Sequence, residues 1–334
     1  MLRFQRWASD SLKLLMITDQ LYLGGLETHI ITLCTELVRQ GNKVFFYFNK
    51  GLSIWIYQLQ KNGVIVLNTL ADAPLVDLVH LHVWGDTHQQ AIQFAEERNI
   101  PLVATYHGLY RTGLGELSAK GRIICVSERI RDFLGIDTAV IENGIDLEVF
   151  RSTPLPRNKT VAWVGRMDQS RWLGLEALFQ ACRSLHLECH LAGGYLNHDH
   201  IKILTKYPEV YWHGPVLDIP EFLKDIDVVF STSRGIREAM CLGRIAIIMN
   251  GAWYSGAVTP DNVETLRQDS FMGWEKKLSL PSVIQQDLER LYRHPEKMQR
   301  LGEWGAEYAK GEFTAQTMVN QTKIIYIDLI KNWY

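Results

Sequence analysis

Short apolar runs rich in β-branched residues alternate along this chain with longer stretches in which apolar positions recur every three to four residues. The first pattern suits strands buried on both faces and the second suits helices packed over them. Their alternation predicts an α/β fold of parallel sheets with crossover helices. In the first half it predicts strands at Lys13–Thr18, Lys43–Phe48, Val64–Val66, Leu78–His82, Leu102–Thr105, Arg122–Val126 and Ala139–Ile141. Helices are predicted at Glu27–Gln40, Thr87–Arg98 and Ser127–Phe133, the last opened by Ser127 as N-cap. Arg151–Lys159 then carries Ser, Thr, two prolines, Asn and charge without an apolar period, as a solvated linker would.

After that stretch the rhythm restarts. Strands are predicted at Thr160–Val164, Glu188–Ala192, Val210–His213, Val228–Ser231 and Ala246–Met249, with helices near Gly174–Ser184, Ile219–Lys224 and Arg237–Leu242. Downstream of Thr259 the pattern is mostly helical, and Tyr308–Tyr334 reads as helix broken near Gly311. The expected organisation is therefore a Rossmann-like domain over residues 1–153, a second over 154–310, and a final helix over 311–334 crossing back to the first. A length of 334 residues suits two cores better than one.

Composition narrows the functional classes. Charge is balanced, at 35 Lys and Arg against 37 Asp and Glu, so there is no global field for gripping nucleic acid. Five scattered cysteines without a Cys-x-x-Cys pair suggest neither a disulfide framework nor a zinc knuckle, and favour a cytoplasmic setting. Met1–Ser11 lacks the apolar core of a signal peptide, and no apolar run reaches membrane-spanning length, which leaves peripheral membrane contact as the most intimate one expected.

Several loops carry candidate chemistry. Gly24 and Gly25 stand between the first strand and a helix whose first turn holds Glu27, so they form either an anion cradle or a tight turn. Gly165 and Arg166 follow the first strand of the second half, with Arg171 five residues on. Two guanidiniums on a loop at a strand's carboxyl end can clamp a diphosphate, although Arg171 also suits a surface ion pair. The turn containing Ser233, Arg234 and Gly235 leads to Glu238 in the first turn of a helix, where a carboxylate can accept both hydroxyls of a ribose or simply complement the helix dipole. His107, directly after an apolar strand, can donate to a phosphate or sugar or serve a structural role. His80 and His82 share one strand face and invite a metal with His88 or Asp86, but no independent ligand set accompanies them and no metal is expected. Asp225-Ile-Asp227 leads straight into an apolar strand and reads as a strand-entry turn.

Taken in order, these motifs resemble glycosyltransferase family 4, a group of retaining GT-B enzymes. The resemblance rests on Gly24-Gly25-Leu26-Glu27 before an amphipathic helix, Thr105-Tyr106-His107, Asn143-Gly144-Ile145-Asp146, Gly165-Arg166 with Arg171, and Glu238-Ala239-Met240-Cys241-Leu242-Gly243. It spans about residues 14 to 250 and implies two Rossmann-like domains facing across a cleft. It further implies transfer of a hexose from a nucleoside-diphosphate sugar to an acceptor hydroxyl, without cofactor or metal.

On this resemblance His107, Arg166 and Arg171 are the expected catalytic groups. Gly24, Gly25, Gly165, Arg166, Arg171, Ser233, Arg234, Gly235, Glu238 and Gly251 would meet the donor, and Glu27, Trp84, His107 and Tyr110 would lie on the acceptor side. Three departures stand out. Arginine replaces the family's clamp lysine at position 171, Phe230 stands where the family has its first glutamate, and the following glycine pair reads Gly251-Ala252-Trp253-Tyr254-Ser255-Gly256. The missing glutamate leaves room for a nucleotide-sugar epimerase or hydrolase, and a non-catalytic sugar-nucleotide-binding subunit would retain the same arginines.

Overall fold

Strand β1, Lys13–Leu21, buries Leu14, Leu15, Met16, Ile17 and Thr18 in succession, which requires cover on both faces. In the computed structural model, which describes residues 11–22, 24–83, 85, 87–273 and 277–333, that cover comes from helices on either side of a parallel sheet. The chain forms two compact units, one running to Asp146 and resuming at Ala315, the other Leu147–Thr314.

In the first unit β1 is followed by α1 (Gly25–Arg39), β2 (Lys43–Gly51), α2 (Ser53–Lys61), β3 (Ile65–Val66), β4 (Leu78–Val83), α3 (Thr87–Glu97), β5 (Leu102–Tyr106), α4 (Leu114–Lys120), β6 (Arg122–Cys125), α5 (Glu128–Leu134) and β7 (Ala139–Val140). The strands lie parallel in the order β3-β2-β1-β4-β5-β6-β7. Strand order reverses between β1 and β4, so the loops after β1, β4 and β5 open at the place where doubly wound sheets bind ligands.

The second unit repeats the plan with β8 (Thr160–Val164), α6 (Gln169–Leu185), β9 (Glu188–Ala192), α7 (His198–Leu204), β10 (Val210–Trp212), α8 (Ile219–Leu223), β11 (Val228–Ser231), α9 (Arg234–Cys241), β12 (Ile245–Asn250), β13 (Trp253–Ala257), α10 (Val263–Gln268), β14 (Lys277–Leu278), α11 (Pro281–Arg293) and α12 (Pro295–Glu312). Its order is β10-β9-β8-β11-β12-β13-β14, parallel as far as β12 and antiparallel beyond. The last helix, α13 (Ala315–Trp333), places Met318, Val319, Tyr326, Leu329 and Ile330 in the first unit's core beside α1, the return that the sequence predicts.

Four local expectations are corrected. The stretch Arg151–Lys159 is tied down rather than free. Buried Asp227 accepts from the backbone N–H of Arg157 and Lys159, each at 2.7 Å, and Arg244 donates to the carbonyls of Thr153 and Pro154. Residues 253–257 form an antiparallel strand where no element is predicted. Gly311 lies inside α12, and the break falls at Phe313 and Thr314, where the Phe313 ring packs edge-on to Phe271. Helices α6 and α9 both start earlier than their apolar periods indicate. Among the described residues no helix is long and apolar enough to cross a membrane.

Candidate functional site

In the second unit the donor-side candidates gather at the carboxyl ends of β8, β11 and β12. Gly165 and Arg166 follow β8, and the Gly165 N–H donates to the Ala192 carbonyl at 3.0 Å. Asp168 caps α6, accepting from the Ser170 N–H at 3.1 Å. The cap makes residues 169–173 helical, so Arg171 belongs to the first turn of a helix rather than to a loop. Trp172 is buried, stacked on His200 at 4.0 Å, and fixes the helix start by donating from Nε1 to the Met167 carbonyl at 3.1 Å.

Gly251, in the turn between β12 and β13, has φ +59°, and a Cβ there would lie 2.1 Å from the Ser170 carbonyl oxygen. A Cβ on Gly174 would in turn lie 2.2 Å from the Gly251 carbonyl oxygen. Backbone therefore meets backbone, and this brings the Gly251 turn against the residue pair that includes Arg171.

Arg166 is exposed while Arg171 is buried. Burial draws the Arg171 guanidinium below its usual value, Asp168 opposes that, and the like charge of Arg166 adds to it. Asp168 also feels burial, but the hydrogen bonds from Ser170 and the two arginines bring its carboxyl below the ordinary range. The Arg166 charge disfavours that of Arg171, and the two guanidiniums beside the amino end of a 17-residue helix form a cationic spot suited to an anion.

At the end of β11, Ser231 Oγ donates to the Val164 carbonyl at 2.6 Å, joining this strand end to that of β8. Ser233 occupies the N-cap of α9 at φ 49°, a conformation uncommon for a non-glycine residue, and its N–H donates to the Phe271 carbonyl at 3.0 Å. Arg234 and Gly235 are the first two helical residues, not a turn, and Glu238 consequently falls in the second turn. Its carboxylate is buried and accepts from Arg234 Nε at 2.7 Å, while burial raises its pKa against the pull of Arg234. Phe230 is wholly buried in β11 and offers nothing polar at the position of the family's first glutamate.

In the first unit Gly24 is the N-cap of α1 and Gly25 its first residue. The Glu27 carboxylate turns back on its own loop, accepting from the Tyr22 N–H at 2.8 Å, and is buried. His107, just after β5, lies with Nε2 3.1 Å from Nδ1 of His82. Its N–H donates to the Tyr110 hydroxyl at 3.3 Å, and that hydroxyl donates to the Val83 carbonyl at 2.5 Å. Burial pushes the Tyr110 phenol up to about 12. Burial, joined by His29 and His80, holds His107 neutral with its pKa well below the ordinary histidine value. Trp84 and Asp86 lie outside the described residues.

Sequence reasoning missed His29, which α1 carries beneath the same strand ends. Its ring meets that of His107 edge-on at 4.7 Å, and its Nδ1 lies 2.8 Å from Asn143 Oδ1. A single histidine on an amphipathic helix gives no signal by itself. The pairing with Asn143, 114 positions away, emerges only from the fold. His88 stands apart from this group, against Gly113 at the start of α4.

The strand orders define two Rossmann-like units, each with its candidate residues at the carboxyl ends of parallel strands. Residues 23–149 match the model of Glycosyltransferase Family 4. The chain as a whole has the GT-B fold, and the family-model match is confined to its amino-terminal part. HepE of Anabaena, solved in complex with UDP-glucose, is similar to it with a TM-score of 0.73 at 17% identity, over 95% of this chain and 100% of that one. A glycosyltransferase of Rickettsia africae has a TM-score of 0.73 at 17% identity, over 97% and 100%. A putative UDP-N-acetylglucosamine 2-epimerase of Listeria monocytogenes has 0.59 at 13%, over 94% and 95%. No curated protein matches the chain in sequence.

Proposed function

We propose that the protein is a retaining glycosyltransferase that moves a hexose from a nucleoside-diphosphate sugar to an acceptor hydroxyl, without a catalytic metal. The observation that carries this reading is the placement of Arg166, just after β8, near Arg171 in the first turn of α6, where the Arg166 charge disfavours that of Arg171. When the sugar leaves, negative charge grows on the departing diphosphate, and preorganised guanidiniums and helix N–H groups stabilise it more than they stabilise the bound donor. Gly165 and Gly251 supply close backbone approach, Glu238 receives the ribose, and Ser233, Arg234 and Gly235 line the donor's other side. Because Phe230 is in the core, backbone groups around Gly251 take over the recognition of sugar hydroxyls.

The first unit supplies the acceptor side. His107, engaged at Nε2 by His82, has Nδ1 for a sugar hydroxyl, with Tyr110 bonded to its backbone N–H, and Gly24, Gly25 and Glu27 are the unit's other acceptor-side candidates. The donor bound by HepE makes UDP-glucose the first donor to test. A second reading, epimerisation or hydrolysis of the donor, is favoured by Phe230 at the glutamate position and by the Listeria protein of the same fold.

Incubation with nucleotide sugars, with and without a panel of hydroxyl acceptors, separates these readings by mass spectrometry and NMR of the products. Acceptor-dependent glycoside with retained anomeric configuration supports transfer. Free sugar or an epimer formed without acceptor supports the second reading. Saturable binding without any product leaves a binding subunit.

A further inference from the structure

We infer that the first unit contains a binding site for one divalent transition-metal ion, formed by the imidazoles of His29, His82 and His107. This goes beyond the transfer reading and stands without it. The three residues come from α1, from β4 and from the end of β5, and one ring nitrogen from each lies within 4.8 Å of the other two. Ring centroids are 4.7 Å apart for His29 and His107, 5.3 Å for His82 and His107, and 5.4 Å for His29 and His82.

Nitrogens bound tetrahedrally at zinc distances of about 2.0–2.1 Å sit about 3.3 Å from one another. His82 Nδ1 and His107 Nε2 already lie 3.1 Å apart, so an ion would replace the hydrogen bond between them while the His29 nitrogen, within 4.8 Å of both, closes in. The set contains only imidazole nitrogens, which suits zinc, nickel or copper and not magnesium or calcium.

The surroundings fit ligation. Asn143 Oδ1 can only accept, so the contact at 2.8 Å puts the proton of His29 on Nδ1 and leaves Nε2 as a lone pair, the arrangement in which an outer partner orients a ligating histidine. His82 is fully buried, with Nδ1 turned to His107. Grouping three imidazoles in a core strand region carries a polar cost that valine or isoleucine would avoid, and metal coordination offsets it.

His80, the expected partner of His82, is excluded from the set. Both of its ring nitrogens are taken, one by the Tyr326 hydroxyl at 2.5 Å and the other by Thr105 Oγ1 at 2.7 Å. Three protein ligands leave a fourth position for water.

The test is titration of the chelator-treated full chain with cobalt(II), followed by the visible bands of four-coordinate cobalt, and with zinc by calorimetry. One ion per chain is expected, with affinity falling at least about tenfold in His29→Gln, His82→Ala and His107→Ala. It should be unchanged in His190→Ala, which disrupts the second unit's own imidazole pair, His190 Nδ1 and His213 Nε2 at 3.0 Å. Should the first-unit variants fail to fold, anomalous scattering from zinc-soaked crystals of the unaltered chain locates the ion. Absence of stoichiometric binding, loss of binding in His190→Ala instead, or an anomalous peak away from the three imidazoles would overturn the inference.

Discussion

Arg234 Nε donates to Glu238 Oε1 at 2.7 Å across one turn of α9, with both side chains buried. A buried pair of this kind is far costlier to halve than to hold, because removing one partner strands the other charge. Glu238→Ala should therefore destabilise the protein by about 3 kcal/mol. Urea denaturation of Arg234→Ala, Glu238→Ala and the double variant should give a coupling of at least about 1 kcal/mol, with the double variant losing less than the sum. Strict additivity would show that the two side chains act independently.

Asp168 combines a helix cap with proximity to both arginines. Replacing it with alanine should cost about 1 kcal/mol at neutral pH. Its carboxyl lies below the ordinary value in the folded state. The stabilisation is thus complete above the unfolded-state carboxylate pKa and is lost as pH falls through the lower, folded value. Melting curves of the two proteins should accordingly separate at pH 7 and converge towards pH 3. A gap that widens on acidification would contradict the assignment.

Gly174 has no room for a methyl group, since a Cβ would sit 2.2 Å from the Gly251 carbonyl oxygen. Gly174→Ala must push α6 away from the turn at Gly251, with an expected loss of about 1–3 kcal/mol in stability. Because Arg171 rides on the same helix turn, binding of UDP should weaken as well, while Gly311→Ala, inside α12 with nothing within 4 Å of its Cβ, should leave UDP binding unchanged and stability no lower. Calorimetry and denaturation of the two variants read this contrast.

The alternation of apolar strands and amphipathic helices was legible because parallel strands such as β1 bury consecutive residues, a pattern that no exposed segment tolerates. Edge elements were not. Strand β13 alternates half-buried Trp253, Ser255 and Ala257 with buried Tyr254 and Gly256, and its glycine and serine carry turn chemistry rather than strand propensity. The starts of α6 and α9 were missed because their first turns hold Arg171, Arg234 and Arg237, charged residues that interrupt an apolar period yet are buried in the fold.

Among the candidates, Gly165, Arg166 and Arg171 stand out in the sequence by their place after a strand, and Gly251 by the resemblance; the structure sets them at the carboxyl ends of β8 and β12. The burial of Glu238 beside Arg234, and the partnership of His29 with Asn143 and of His82 with His107, depend on contacts between distant segments. Arg244 likewise looks like one more surface cation in the sequence, although it is fully buried and donates to the carbonyls of Thr153, Pro154, Leu223 and Lys224.

The central claim is that Arg166 and Arg171 hold a diphosphate, and calorimetric titration with UDP tests it most directly. The unaltered protein should bind, and Arg166→Ala/Arg171→Ala should bind at least about 100-fold more weakly, the equivalent of about 2.8 kcal/mol, with its far-ultraviolet spectrum unchanged. Equal affinity in the two folded proteins would contradict the account.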